Sequence, residues 1–101
     1  MSELIETNRQ ELVNLCRKHA VKELYVFGSI LRPDFSETSD VDFLVEFDYD
    51  KTPSAFQQYF GFKEELERLL ARPVDLVCYR AIRNPYFKAE VDETKRVIYA
   101  A

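Results

Sequence analysis

Phe27-Gly28-Ser29-Ile30-Leu31-Arg32 and, ten residues beyond Ser29, Asp40-Val41-Asp42-Phe43-Leu44-Val45 form the stretch whose reading decides the fold. Residues 22–27 end in an aromatic, β-branched run and read as a strand that stops at Gly28-Ser29. A short helical turn follows, with Ser29 as its expected N-cap and Pro33 limiting its length. Residues 34–39 are polar and read as a loop, in which Ser39 caps or braces the approach to the next strand. Residues 40–47 alternate as a second strand. Val41, Phe43, Val45 and Phe47 fall on one face, and Asp40, Asp42, Leu44 and Glu46 on the other.

Working outward, residues 3–20 read as one amphipathic helix carrying Ile5, Leu12, Leu15, Cys16 and Ala20 near one face. After a turn at 48–51 that includes Asp48 and Asp50, Thr52-Pro53 signals a helix running to about Ala71. Its apolar stripe of Phe56, Tyr59, Phe60, Phe62, Leu66, Leu69 and Leu70 reads as core, and Glu64 and Arg68 pair at i,i+4. Arg72-Pro73 breaks the helix, and residues 74–79 form a third strand. Asn84-Pro85 opens a last helix to about Lys95, with Tyr86 and Phe87 expected to pack into the core or else to dock a partner, and residues 97–100 form a short final strand. His19 sits near a helix C-terminus, where a partly positive ring suits the dipole. The order specifies an α+β fold, one small mixed sheet flanked by helices, read as a single domain over residues 1–101.

Composition narrows the function. The 101 residues are 47% hydrophobic and 32% charged, the balance of a soluble globular chain. Fourteen Lys and Arg against 18 Asp and Glu give a net charge of −4, which argues against non-specific nucleic-acid binding. Cys16 and Cys78 lie far apart among apolar residues, which fits reduced thiols in the cytosol better than a disulfide scaffold. The acidic N-terminus is no signal peptide, and no stretch reaches the roughly 18 apolar residues needed to span a bilayer. A cytoplasmic, soluble protein is expected.

Chemistry concentrates on three aspartates in hydrophobic surroundings. Asp40 and Asp42, two apart on a strand, point the same way about 7 Å apart. Asp75 interrupts Val74-Asp75-Leu76-Val77, where an unpaired carboxylate costs several kcal/mol to bury. If the two strands are neighbours, three carboxylates converge, and a hard divalent cation is the economical way to neutralise them. Gly28 lets a phosphate approach the backbone, Ser29 adds a hydroxyl, and Arg32 can hold phosphate oxygens. A phosphate cradle beside paired carboxylates is the equipment of metal-assisted nucleotidyl transfer.

The Gly28-Ser29 … Asp40-Val41-Asp42 run, with Asp75 in Pro73-Val74-Asp75-Leu76-Val77, closely resembles the signature of the DNA polymerase β-like nucleotidyltransferase superfamily. The short chain looks like a minimal nucleotidyltransferase (MNT) domain, with a fold like the polymerase β palm. Leu31 and Pro33 stand where the family commonly has alanine and glycine, while Arg32 remains. The resemblance implies that Asp40 and Asp42 bind two Mg²⁺ ions holding the triphosphate of ATP. It implies that Asp75 ligates the catalytic metal and activates the acceptor hydroxyl, and that Gly28 and Ser29 contact phosphates. It also implies a HEPN-domain toxin as partner, silenced by AMP transfer to a tyrosine. The alternative is a non-catalytic antitoxin that masks the toxin by stoichiometric binding.

Overall fold

The computed structural model describes residues 2–51 and 54–101. Its elements are α1 (Glu3–Thr7), α2 (Arg9–Lys18), β1 (Val21–Phe27), a 3₁₀ turn (Gly28–Leu31), β2 (Val41–Phe47), α3 (Ala55–Leu70), β3 (Val74–Cys78), a second 3₁₀ turn (Tyr79–Ala81), α4 (Pro85–Thr94) and β4 (Arg96–Ala100). The strands form one mixed sheet in the order β3-β2-β1-β4. β1 is antiparallel to both β2 and β4, while β2 and β3 run parallel through the α3 crossover.

The alternation of β2 places its two faces in two different packings. Val41, Phe43, Val45 and Phe47 point into the main core with Ile5, Leu12, Cys16, Phe62 and Leu66 from α1, α2 and α3. Leu44, on the opposite face, is also buried, because Phe27 and Val91 of α4 close over it. Helices therefore cover both sides of the sheet, and Asp42 and Glu46 on the acidic face of β2 are half-buried.

The structure corrects several expectations. Residues 3–20 are two helices rather than one. The Asn8 side-chain amide donates to the Leu4 carbonyl (2.9 Å) and its backbone leaves the helical range (φ −106°, ψ 10°), so the polar side chain ends α1 and α2 starts anew. Asp40 lies just before β2, and Tyr79 just after β3. Phe56 is 73% exposed and Phe60 49%, because the aromatic stripe of α3 is wider than the face it lays on the sheet. Tyr86 is 85% exposed rather than core, since α4 buries the side carrying Val91 and leaves its first turn outside. The expected Thr52-Pro53 helix start lies outside the described residues; the cap of α3 is Ser54, whose side chain accepts from the Gln57 amide. The Glu64–Arg68 pair forms at 2.9 Å. In the turn after β2, Asp50 donates its amide to the Asp48 carboxylate (3.1 Å). Among the described residues, no helix is long and apolar enough to cross a membrane.

His19 caps α2 at its C-terminus, as the sequence suggests, and also packs against Phe62 of α3, with a partner not foreseen. Its Nε2 meets the Glu65 carboxylate, which also accepts from Lys18 Nζ at 2.7 Å. The hydrogen bond from Lys18, then that from His19, holds the Glu65 carboxyl below its ordinary value of 4.5. A depressed carboxyl contributes stability that is present above the unfolded value and lost as pH falls through the folded one. Glu65→Gln is therefore expected to lower the urea midpoint at pH 7, with the difference from wild type narrowing at an acid pH well below 4.5. An equal difference at both pH values contradicts this account of the cluster.

Candidate active site

The 3₁₀ turn after β1 begins at Gly28 with φ +69°, a left-handed conformation that glycine adopts without strain. Space makes a second demand. A Cβ at this position would stand 2.4 Å from Asp42 Oδ2, so only a glycine leaves that carboxylate where it is. Asp42 in turn organises the turn: its Oδ2 accepts from the Ser29 amide (3.2 Å) and lies 3.3 Å from the Ser29 hydroxyl, whose shorter bond is to the Asp40 carbonyl (2.9 Å). Ser29 is thus not the cap of the short helix, as expected from its position. The capping residue is Phe27, with no side-chain bond, and the Ser29 hydroxyl ties the turn to the start of β2.

The parallel register sets Asp42 directly opposite Asp75. Burial pushes the Asp42 carboxyl above its ordinary value, and the charges of Asp75 and Asp40 push the same way, against the hydrogen bonds from Ser29. Asp40 stands exposed just ahead of β2. Among the described residues, no three histidine, cysteine, aspartate or glutamate side chains close into a finished ion site. The donor set is nonetheless all carboxylate oxygen, the chemistry hard divalent cations take, and the mutual repulsion felt at Asp42 is what such a cation relieves.

The loop between the turn and β2 is fastened from the far side. Arg72 donates from one guanidinium nitrogen to the carbonyls of Ser36 and Ser39 (3.0 Å each) and lies 5.1 Å from the centre of the Phe35 ring. The Ser39 hydroxyl accepts from the Ser36 amide (3.1 Å), the bracing expected of it. Since Arg72 stands two residues before β3, the segments carrying Asp40 and Asp75 are bound together.

Gly28, Ser29, Arg32, Asp42 and Asp75 line one cavity of about 360 Å³. Its other wall comes from α4, through Phe87, expected in the core but 36% exposed, and through Glu90, Val91 and Thr94, none of these three singled out in the sequence. α4 is held over the sheet by a cluster at its C-terminal end, where Lys95 pairs with Asp92 (2.9 Å) and lies over the rings of Tyr25 and Tyr79 (4.7 and 5.1 Å). Tyr79 donates to Asp92 as well (3.1 Å). The signal was present as spacing: Phe87, Glu90, Val91 and Thr94 recur at three- and four-residue intervals and so share a helix face.

The profile described as Polymerase beta, Nucleotidyltransferase matches residues 10–101, the span that holds the Gly28 turn and both facing carboxylates. The chain belongs to the polymerase β nucleotidyltransferase family. It is 40% identical over 93 residues to MJ1379 of Methanocaldococcus jannaschii, a candidate protein adenylyltransferase, covering 92% of each chain. It is 37% identical over 79 residues to the protein adenylyltransferase MntA of Thermococcus cleftensis, covering 78% of this chain and 77% of that one. A solved structure of a candidate minimal nucleotidyltransferase superposes with a TM-score of 0.76 at 31% identity, covering 93% of this chain and 92% of the other. The fold also matches a chain in the complex of tri-AMPylated Shewanella oneidensis HEPN toxin with MNT antitoxin, with a TM-score of 0.67 at 20% identity over 95% of this chain and 72% of that one.

Within this nucleotidyltransferase, Arg32 takes an extended backbone (ψ 149°) directly before Pro33, as a residue preceding proline prefers. Pro33 therefore follows the 3₁₀ turn without interrupting it, and Arg32 remains on the cavity wall.

Proposed function

We propose that this chain transfers AMP from ATP, with Mg²⁺, to a tyrosine hydroxyl of a HEPN toxin and thereby neutralises it in the cytosol, acting as a single domain. The observation that carries the reading is the pairing of Asp42 with Asp75 beside Gly28-Ser29 in one cavity. In support, relatives at 37–40% identity are named for protein adenylyltransferase activity, and one structural neighbour comes from a complex containing an AMPylated toxin. Asp40, Asp42 and Asp75 would hold the Mg²⁺ ions, which when bound neutralise the triphosphate and acidify the acceptor hydroxyl.

The chain's own groups supply the rest. The Gly28-Ser29 turn receives phosphate oxygens on its amides and the Ser29 hydroxyl, and Arg32 adds a fixed positive charge. Asp75 accepts the proton of the acceptor hydroxyl. The acceptor oxygen bonds to the α-phosphorus as the bond to the bridging oxygen breaks, and pyrophosphate leaves. Asp75 stands on β3, the edge strand of the sheet, so the acceptor comes to it from beyond that edge and the partner completes the acceptor pocket.

A second reading, neutralisation by masking, draws on the exposed Phe56 and Phe60, whose rings lie 4.7 Å apart on the surface of α3. Co-expression with the toxin separates the two. Under the proposal, the Asp40→Asn/Asp42→Asn double variant still binds the toxin and no longer neutralises it. Neutralisation retained by the double variant establishes masking.

A further inference from the structure

We propose that the α4 end of the cavity is a base-recognition subsite, in which Glu90 selects a purine bearing an exocyclic amino group. This rests on the reading of the cavity as a nucleotide site and adds to it the group that reads the base.

The cavity has two chemically different ends. One carries Gly28, Ser29, Asp42 and Asp75, the groups for phosphate and cation. The other is walled by Phe27 and Phe87, whose rings meet edge to face at 6.0 Å and 69°, with Val91 behind them. A flat aromatic ligand gains from such walls, and a two-ring base covers more of them than a single ring. The polar groups at this end are Glu90 and Thr94, one helical turn apart. Thr94 donates its hydroxyl proton to the Glu90 carbonyl (2.8 Å), so toward the cavity it offers only lone pairs. Among the described residues, no lysine, arginine or histidine comes within 4.0 Å of the Glu90 carboxylate.

The polar side chains that α4 brings to the cavity therefore present hydrogen-bond acceptors and no donor; the donors that line it, Ser29 and Arg32, belong to the turn after β1 and its cap. An amino group on the base supplies the donor these acceptors lack, as a carboxylate accepts from a base amino group elsewhere in nucleic-acid recognition. A base with a carbonyl at that position sets oxygen against carboxylate. The phosphate end is indifferent to this choice, so discrimination between nucleotides falls to α4.

The test is displacement of a fluorescent ATP analogue from the full chain by ATP, by inosine triphosphate, in which a carbonyl replaces the amino group, and by inorganic tripolyphosphate. Wild type is expected to prefer ATP over inosine triphosphate about tenfold, the worth of one charge-assisted hydrogen bond at a partly exposed site. Glu90→Gln, whose amide can donate as well as accept, is expected to bring the two within about twofold, with tripolyphosphate competing as in wild type. Phe87→Ala is expected to weaken both nucleotides about tenfold and leave tripolyphosphate unchanged. A preference unaltered in Glu90→Gln, or none in wild type, overturns the inference alone. Failure of wild type to bind any of the three overturns the nucleotide-site reading together with it.

Discussion

Asp42→Asn is expected to lower nucleotidyl transfer by about 10³-fold while leaving the ligand-free protein as stable as wild type or slightly more so. The two halves of this result come from one arrangement. Asp42 is half-buried opposite Asp75, its charge disfavoured by burial and by its acidic neighbours. An asparagine keeps the shape and can accept the Ser29 amide through its carbonyl oxygen, yet removes the repulsion. What it loses is the charge that a metal–nucleotide complex needs. Thermal melting reads the two halves separately. At a hundredfold excess over Kd, Mg²⁺ with ATP is expected to stabilise wild type by about 2.7 kcal/mol, roughly 10–20 °C for a domain of this size, and the variant far less. A ligand-free variant that melts well below wild type would show that the carboxylate holds the fold and not a ligand.

Gly28→Ala is expected to have the second-largest effect, a loss of roughly 1–3 kcal/mol of stability and about a hundredfold in transfer. Backbone conformation alone does not produce it. Ala20 and Ala71 already occupy left-handed backbone at φ 56° and 55° in this same chain. The difference at Gly28 is the Asp42 oxygen 2.4 Å from where the methyl group would lie, so that carboxylate must swing away from the Ser29 amide. A double-mutant cycle separates the causes: with Asp42→Ala in the background, Gly28→Ala should cost markedly less stability. An unchanged cost would assign the effect to backbone strain.

Much of this architecture is legible in the sequence because the signals are local. The period-2 pattern of residues 41–47 assigns Phe43 to the core, and the break at Arg72-Pro73 separates α3 from β3. Asp42 and Asp75 stand out because carboxylates in apolar strands lack a packing explanation. Their adjacency depends on the sheet order, which follows from the α3 crossover and appears in neither strand by itself.

What the sequence hid was decided by competition or by distance. At Asn8 a side-chain amide competes with the helix for the Leu4 carbonyl, and hydrophobic periodicity does not register such a contest. Phe56 and Phe60 fall on a helical stripe, but how much of a stripe is covered depends on the width of the sheet beneath it. Ser29 looks like a cap because it opens a turn; the Asp40 carbonyl and the Asp42 carboxylate that claim it are 11 and 13 residues away. Glu90 and Thr94 are ordinary surface residues of an amphipathic helix until α4 folds over Phe27 and turns them toward the cavity.

The most direct measurement incubates the chain and its co-purified partner with Mg²⁺ and each α-labelled nucleoside triphosphate, beside the Asp40→Asn/Asp42→Asn double variant. The account predicts label from ATP on a tyrosine of the partner, and none with the variant. Label from no nucleotide, with the partner still bound and inhibited, would contradict it and leave a nucleotidyltransferase fold that works by binding.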